Sequence, residues 1–335
     1  MRWDGFLELS SVEAMVAAVS AVPPAQWCRA FFLFAAAAVL AVAATPREAR
    51  TLLVDYGARK TDDRLPHQGQ KQQATAPQRQ SQNRCWILSL IATVTSWGQV
   101  PHSWFGAFYV VSLGCSAFWL VQYFAGGTLM HLIASRQSTA PGPSPMLGQV
   151  AATGTMMLLQ AARRVYEHAT IVKPSKSTMW VVHWVLGMGF YLFISVSVWV
   201  EGSRAILDRS TTPSDAFDIS SLLKLSVASL AFLFAWVNQY RCHVHLAGLK
   251  KYSLPEAGLF RHLVCPHYTC ECLLYLSLAL AAAPPGEPCN KTLLCALTFV
   301  LVNLGVTAAG TRRWYAEKFG SAAVAEKWNM IPLLF

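Results

Sequence analysis

Charge is scarce in this sequence of 335 residues. Only 13% of the residues are Asp, Glu, Lys or Arg, which is about half the share that soluble globular proteins carry, while 54% are hydrophobic. This balance excludes a disordered chain, a coiled coil and an ordinary soluble domain. The nine cysteines are too few and too scattered to build a disulfide-stabilised fold.

Several motifs of soluble enzymes are also missing. The chain contains no GxxxxGK[ST], no HExxH and no GxSxG. Gly187 and Gly189 begin a GxGxxG pattern, but Leu192 occupies the third position, which excludes a Rossmann dinucleotide loop. We expect no metal site, because the spacing of the His and Cys residues between positions 262 and 272 fits no standard zinc site.

Long apolar runs are the main positive feature. A membrane-spanning helix needs about 20 mostly apolar residues, and we predict seven such segments, the third and sixth being the weakest. They are Trp27–Ala44, Trp104–Gly126, Met146–Ala162, Met179–Val200, Leu222–Val237, Tyr268–Ala283 and Thr292–Gly310.

The positions of the basic residues predict the orientation of these segments. With a cytosolic C-terminus, 20 of the 27 Lys and Arg residues fall in cytosolic stretches, as the positive-inside rule requires. The net charge of +10 therefore reflects membrane topology, and we expect no nucleic-acid partner. A cleaved signal peptide is disfavoured because Asp4, Glu8 and Glu13 precede the first apolar block. The sequon at Asn290 is expected to be unmodified, since it lies close to the membrane.

The spans and the polar stretches divide the chain into four parts. Residues 1–26 are predicted to be an N-terminal lumenal segment, and residues 27–60 the first span with its cytosolic flank. Residues 61–100 begin with a Gln-rich stretch and are interpreted as a disordered linker. Residues 101–335 hold the other six spans and a cytosolic tail.

Polar side chains inside the spans are the clearest sign of a site, because an ionisable group at membrane depth needs a partner or a wet cavity. These residues gather near the cytosolic ends of several spans, which predicts a shared pocket that opens to the cytosol. The alternative is that each makes an ordinary hydrogen bond between helices. The residues are Gln239 and His243 on one helical face, Glu271 one turn after His267, Asn303 one turn before Thr307, and then Arg312 and Tyr315.

A basic rim borders this predicted pocket. It suits an anionic ligand such as a dinucleotide phosphate, although the positive-inside rule alone also explains its charges. The rim consists of Arg241, Lys250, Lys251, Arg261, Arg312 and Arg313.

Five stretches resemble the steroid 5-alpha-reductase family, specifically its polyprenol (polyprenal) reductase branch in a fungal-like form. They cover most of residues 150–335. The stretches are ARRVYE at 162–167, NQYRCHVHLAGLKKY at 238–252, LPEAGLFRHLVCPHYTCE at 254–271, RRWYAEKF at 312–319 and IPLLF at 331–335.

The resemblance implies an all-α membrane protein, a seven-transmembrane-helix bundle of the steroid 5-alpha-reductase type. It also implies an endoplasmic reticulum location and NADPH bound from the cytosolic side. The cofactor residues that it implies overlap the polar positions found above. They are Gln239, His243, Lys250, Tyr252, His267, Glu271, Asn303, Thr307, Arg312 and Tyr315.

The implied reaction is the reduction of the alpha-isoprene double bond of a long polyisoprenoid in dolichol biosynthesis, which supports protein N-glycosylation. A hydride adds readily to an alkene only when a neighbouring group takes up the negative charge, so polyprenal is favoured over polyprenol as the substrate, and dolichal as the product. Tyr315 is the first candidate near the nicotinamide. Tyr109, Tyr166 or His102 are candidates to donate a hydrogen bond to the carbonyl oxygen.

The remaining candidate residues concern the substrate. Trp104, Phe105 and Phe108 are expected to line the gap through which the isoprenoid tail reaches the lipid. Arg164 and Glu167, in the stretch ARRVYE, are candidate substrate-binding residues by the resemblance.

Three other functions stay open at this stage. One is a membrane methyltransferase resembling the isoprenylcysteine methyltransferases, which use S-adenosylmethionine. A second is a family member without activity, because Ala107 and Arg312 stand where the branch usually has histidines. A receptor or transporter is the third, but polar groups at one face and the lack of an internal repeat disfavour it.

Overall fold

The computed structural model of the protein describes most of the membrane-associated sequence. Lys251 and Tyr252, both predicted around the pocket, lie outside the described residues, as do residues 61–77 of the predicted linker and most of the segment 1–26. The described residues are 14, 21–46, 48–50, 78–140, 142–173, 177–208, 219–250 and 253–335.

Helices dominate the described residues. They are α1 (Pro24–Ala43), α2 (Gln78–Ser96), α3 (Phe105–Ala125), α4 (Thr128–Ser138), α5 (Leu147–Thr170), α6 (Val181–Ser197), α7 (Ser203–Leu207), α8 (Ile219–Gly248), α9 (Pro266–Ala281) and α10 (Lys291–Phe319). The two strands are β1 (Gln99–Pro101) and β2 (Thr178–Trp180), and short 3₁₀ turns occupy His102–Trp104, Val200–Gly202, Gly258–Arg261 and Ser321–Val324.

Among the described residues, five helical segments are long and apolar enough to cross a membrane, so the chain is a multi-pass, mostly helical membrane protein. Each of them overlaps one of the seven spans that the apolar runs of the sequence predict. The segments are Pro24–Ala43, His102–Ala125, Val181–Leu207, Ile219–Gly248 and Lys291–Phe319.

The two weakest predicted spans also form helices, but the count of seven spans is not confirmed. Helix α9 has 16 residues, which gives a length of about 24 Å, short of the hydrocarbon thickness of about 30 Å. Helix α5 has 24 residues, but it buries Gln149, Thr153 and Gln160 on its inner face. Both helices pack inside the bundle, where polar side chains find partners.

The structure differs from the predicted linker over residues 78–100. This part forms α2 and then β1, which pairs antiparallel with β2 in the register Val100 opposite Met179. The reason lies in the apolar run 85–94, which supplies enough helix-forming residues to continue a helix out of the Gln-rich stretch. We call the pair β1–β2 the ribbon.

Helix α9 lies at the centre of the bundle and packs against α8, α10 and α5. Helix α10 packs against α1, while α3 packs against α5 and α6. Large apolar side chains fill the core between them, including Phe32, Ile194, Phe232, Leu274 and Leu293, each 2% exposed or less.

One end of the bundle is held by a small polar network that we call the Arg29 brace. The Arg29 guanidinium forms an ion pair of 2.7 Å with Glu201 and donates to Thr292 Oγ1 at 2.9 Å. Glu201 Oε1 also accepts hydrogen bonds from the backbone N–H and the hydroxyl of Thr292. Next to Thr292, the side chain of Asn290 is buried and caps α10 by accepting from Leu293 N at 3.0 Å.

Candidate active site

At the opposite end of the bundle, side chains from four helices form a single connected group that we call the polar cluster. It lies where α5 and α8 end and where α3 and α9 begin. Its members are Tyr109 from α3; Gln160, Arg163, Arg164 and Glu167 from α5; Gln239 and His243 from α8; and His267 and Glu271 from α9.

Helix α5 supplies four members because of their spacing. Gln160 is followed by residues three, four and seven positions later, and such positions share one face of an α-helix. Arg163 and Glu167 are i,i+4 neighbours, and Arg164 and Glu167 are i,i+3 neighbours, so each arginine can pair with the same carboxylate.

Arg163 joins α5 to α8. Its guanidinium donates to the carbonyl of Trp236 at 2.8 Å and to Gln160 Oε1 at 2.7 Å. It also donates to Gln239 Oε1 and forms an ion pair of 3.0 Å with Glu167. Since only 3% of its side chain is exposed, its hydrogen bonds are directed to protein groups, and its role is to hold the two helices together.

Arg164 has a different position, at the edge of the cluster. Its Nη2 donates to the Tyr109 hydroxyl oxygen at 2.5 Å, and its guanidinium lies 4.5 Å from the centre of the Tyr109 ring. It forms an ion pair with Glu167, and its Nη1 lies 2.9 Å from His243 Nδ1. With 21% of its side chain exposed, Arg164 connects the buried carboxylate to the phenol.

Glu167 is the centre of the cluster and is 1% exposed. Burial raises the pKa of its carboxyl, but the hydrogen bond with His243 and the charges of Arg164 and Arg163 lower it further, so the pKa lies below the usual value. His243 Nδ1 is 2.8 Å from Glu167 Oε2. This nitrogen either donates to Glu167 or accepts from Arg164, but it cannot do both at once.

Gln239 links α5 and α8 to α9. Its Nε2 donates to Glu271 Oε2 and to the carbonyl of His267 at 3.3 Å. Gln160 Nε2 donates to Gln239 Oε1 at 3.1 Å. The His267 ring packs 5.8 Å from the ring of His243, and its buried Nδ1 has no hydrogen-bond partner among the described residues.

Aromatic side chains lead from the outer surface of the bundle to the polar cluster, and we call Trp104, Phe105, Phe108 and Tyr191 the aromatic wall. Trp104 is 45% exposed, whereas Phe108 is 6% exposed. The rings follow one another at 5.0 Å from Phe105 to Phe108 and at 6.0 Å from Phe108 to Tyr191. The ring centre of Tyr191 then lies 6.4 Å from the ring centre of Tyr109.

Two glycines let side chains approach the backbone closely at this place. A Cβ at Gly187 would lie 2.7 Å from the Phe108 ring, and a Cβ at Gly106 would lie 2.6 Å from His168 Nε2. Both distances are too short for a real Cβ atom. The Gly106 contact brings His168 beside Tyr109, with 5.7 Å between the ring centres.

The structure brings together seven of the residues that the sequence predicted for the site. These are Tyr109, Arg164, Glu167, Gln239, His243, His267 and Glu271, which form the polar cluster with Gln160 and Arg163. Phe105 and Phe108 also lie together, and the Trp104 ring lies 5.3 Å from the ring of Trp184, which packs in the same apolar cluster.

Other predicted residues lie apart from the cluster. Tyr166 is 54% exposed and lies on another face of α5, and Lys250 is exposed just beyond the end of α8. Because Tyr166 is on the outside of the helix, the structure does not support it as the donor to the carbonyl.

The four predicted residues of α10 also make contacts elsewhere. Thr307 donates to the carbonyl of Asn303 at 2.8 Å, within the helix. Arg312 donates to the carbonyls of Lys327 and Ala325 in the C-terminal segment. Tyr315 packs between aromatic neighbours on its own helix, with its ring 6.0 Å from that of Phe319. Helix α10 lies beside α9, so these residues flank the cluster without joining its hydrogen bonds.

Sequence reasoning missed Gln160, Arg163, His168 and Tyr191 as site residues. Gln160 is a lone amide in a moderately apolar helix, yet its position three residues before Arg163 could have indicated the shared face. His168 directly follows the predicted residue Glu167, but its contact with Tyr109 joins two helices and spacing alone does not show it. Nothing near Tyr191 in the sequence signals a site.

The metal prediction concerned the region between His262 and Cys272. Cys265, Cys270 and Cys272 are buried as separate thiols. In the part of the chain that the structure describes, no group of three or more His, Cys, Asp or Glu side chains could hold a metal ion.

Comparison with known proteins adds independent information. The family model for 3-oxo-5-alpha-steroid 4-dehydrogenase matches residues 210–335. The polyprenal reductase of Xenopus tropicalis is 26% identical over 259 residues, which cover 71% of this chain and 81% of the relative. Polyprenal reductase 1 of Arabidopsis thaliana is 28% identical over 253 residues, covering 66% and 77%.

A fungal relative is similar over a shorter stretch. The polyprenal reductase of Saccharomyces cerevisiae is 29% identical over 177 residues, which cover 51% of this chain and 60% of the relative. Together the comparisons confirm that the chain resembles the steroid 5-alpha-reductase family and its polyprenal reductase branch. This resemblance also supports the prediction of an oxidoreductase that acts on CH–CH groups.

Proposed function

We propose that the protein reduces the alpha-isoprene double bond of polyprenal to give dolichal, with NADPH as the reductant, in the endoplasmic reticulum membrane. This step belongs to dolichol biosynthesis and so supports protein N-glycosylation. The observation that carries the proposal is the contact of Arg164 with Tyr109, which places a polarised phenol where the aromatic wall meets the polar cluster. In the proposed orientation, this end of a seven-span bundle faces the cytosol.

The chemistry requires a hydrogen-bond donor at the carbonyl oxygen of the substrate. When a hydride adds to the beta carbon of a conjugated aldehyde, negative charge moves to the carbonyl oxygen and an enolate forms. A preorganised donor in a site that excludes water stabilises this charge. The alpha carbon then takes up a proton, which restores the aldehyde with a saturated alpha-isoprene unit.

Tyr109 has the features of that donor. Its hydroxyl oxygen accepts a hydrogen bond from Arg164, so its own proton is free to point away from the arginine. The nearby guanidinium charge would also stabilise the negative charge that develops on a substrate oxygen hydrogen-bonded to the phenol. Glu167 holds Arg164 in place and keeps the total charge of the buried group low.

The residues around the cluster fit an anionic dinucleotide. Arg164 is partly exposed, His267 Nδ1 lacks a partner among the described residues, and His243 lies beside both. Guanidinium and imidazole groups are typical ligands of phosphate. When bound, NADPH supplies the hydride, and the chain must hold it next to the aromatic wall.

The α10 residues and Tyr252 stay in the proposal as further cofactor residues. Asn303, Thr307, Arg312 and Tyr315 follow one another along α10 on the flank of α9, and Lys250 lies in the loop after α8. The aromatic wall would carry the isoprenoid tail, because Trp104 is exposed at the bundle surface and the rings of Phe105 and Phe108 further in are apolar.

A direct assay tests the proposal. Purified protein in detergent or nanodiscs should convert polyprenal and NADPH to dolichal, measured by NADPH absorbance and by mass spectrometry of the lipid. Tyr315→Phe should slow the reaction if Tyr315 lies near the nicotinamide. NADPH should also raise the melting temperature, whereas S-adenosylmethionine should not. Stabilisation by S-adenosylmethionine, or no NADPH oxidation with any polyprenyl substrate, would contradict the proposal.

A further inference from the structure

Helix α2 carries an exposed apolar face that the proposed reaction does not use. Trp86, Leu90 and Val94 are 57%, 54% and 44% exposed, and Trp97 in the turn after the helix is 72% exposed. The first three are four residues apart, and Trp97 follows Val94 by three, so all four lie along one side of the helix.

Nothing in the described part of the chain covers this face. Helix α2 has no extensive contact with any other described helix or strand. Its end is nevertheless fixed, because Thr95 is buried and the ribbon follows directly. Gly98 makes the connecting turn with φ of 68°, and its carbonyl accepts a hydrogen bond from Val181 N at 2.8 Å.

The apolar face continues into a surface that lies in the membrane. The ribbon joins the end of α2 to the starts of α3 and α6, both within candidate membrane spans. On α3, Val110 is 62% exposed and Val121 is 64% exposed, as expected for residues facing lipid. Trp104, between the ribbon and α3, is 45% exposed.

Charge and length also favour lipid as the occupant of this face. Residues 78–96 contain Arg79 and Arg84 but no Asp or Glu, which suits an anionic membrane surface. The apolar part of α2 begins at Cys85, so it is only about 12 residues or about 18 Å long, too short to cross a hydrocarbon core of about 30 Å. Such a helix lies in the interface, and Trp is common there.

We infer that α2 lies along the membrane surface beside the aromatic wall, with Trp86, Leu90, Val94 and Trp97 inserted among the lipid acyl chains. The partner is the lipid of the leaflet at the polar-cluster end of the bundle. The inference depends on the position of α2 and not on the reaction, so it stands or fails independently of the proposed function.

Site-specific photo-crosslinking tests this position in the full chain. A benzophenone amino acid replaces Leu90 in one variant and Ser96 in a matched control; Ser96 is also exposed, on the polar flank of the same helix. Each variant is reconstituted in nanodiscs of phosphatidylcholine and phosphatidylserine and irradiated, and the adduct is identified by intact-protein mass spectrometry. Size-exclusion chromatography confirms that both variants fold.

We expect a phospholipid adduct at position 90, with a yield several times that at position 96. Equal, low yields at the two positions would overturn it, as would crosslinks from position 90 mainly to a second copy of the chain or to another protein. Repeating the experiment with the probe at Val94, one turn further on, guards against a fold defect caused by a single substitution. Position 94 should also give the phospholipid adduct.

Discussion

The two ends of the bundle both bury charged side chains, but they use them differently. In the Arg29 brace, Glu201 Oε1 accepts one hydrogen bond from Arg29 and two from Thr292. This carboxylate oxygen therefore has its hydrogen-bond partners within three helical segments of the protein. In the polar cluster, two arginines share Glu167, and Arg164 stays partly exposed beside Tyr109.

The difference separates a structural network from a candidate active site. Burying charge stabilises a fold weakly at best, because the loss of hydration offsets the attraction between the ions. The brace limits this cost by using one compact ion pair. The polar cluster buries Arg163 and Glu167 and leaves a phenol, a guanidinium and an imidazole at its edge, which is typical of sites that bind ligands.

The largest effect is expected when the polar cluster loses its central carboxylate. In Glu167→Gln, Arg163 and Arg164 lose their shared counter-charge, so we expect the free energy of unfolding to fall by about 3–5 kcal/mol and turnover to be lost. Denaturant unfolding in detergent and the dolichal assay measure the two effects. A fully active and equally stable variant would show that the cluster is no more than a packing network.

A nearly pure effect on turnover is expected for Tyr109→Phe. Removing the hydroxyl should lower kcat by about 10²- to 10⁴-fold, the usual contribution of a positioned acid, with little change in melting temperature. Tyr123→Phe is the matched control, because Tyr123 donates to the carbonyl of Leu147 at 3.0 Å far from the cluster. Equal rates for Tyr109→Phe, Tyr123→Phe and the wild type would remove Tyr109 from the mechanism.

The opposite result is expected at the brace. In Arg29→Met, Glu201 loses its ion pair but keeps both hydrogen bonds from Thr292, so the free energy of unfolding should fall by about 1–3 kcal/mol while kcat is unchanged. Melting temperature and the dolichal assay, measured on the same preparation, check both statements. A strong loss of kcat with intact stability would mean that the two ends are coupled.

The smallest effect concerns pH. The pKa of Glu167 in the folded protein lies below its usual value. The ionised Glu167 carboxylate therefore contributes its full stabilisation above the unfolded-state pKa of about 4.3. This stabilisation is lost as the pH falls through the lower pKa of the folded state. The stability difference between wild type and Glu167→Gln should therefore be constant near neutral pH and shrink below about pH 4. A stability difference between wild type and Glu167→Gln that grows as the pH falls would contradict this prediction.

Much of the fold and part of the site could be read from the sequence. Apolar length predicted the five candidate spans, and helical spacing placed Gln239 and His243 on one face, which indeed meets α5 and α9. Periodicity shows which side chains share a face but not which helix that face meets. For this reason the contact between Arg164 and Tyr109, 55 positions apart, could not be predicted.

Two other features of the structure also escaped prediction, for different physical reasons. Arg312 stays a proposed cofactor residue, but the sequence does not show that the C-terminal segment returns alongside α10 and offers this side chain the carbonyls of Ala325 and Lys327. Composition marked residues 61–100 as a linker, yet the apolar run from Cys85 to Val94 is long enough for a helix once the ribbon fixes its end. The contacts of Arg312 thus depend on a tertiary partner, whereas α2 follows mainly from its own apolar run.

The ribbon has a mechanical consequence for an isoprenoid tail that enters between α3 and α6, as the proposed function would require. Both helices start from this pair of strands, and Val100, Phe108 and Met179 pack together beside it. Because the ribbon holds the starts of α3 and α6 together, the two helices can move apart mainly at their other ends. A bulky lipid tail between α3 and α6 would therefore move the two helices apart mainly at their far ends, and the distance between Tyr109 on α3 and Tyr191 on α6 would change little with the length of the tail.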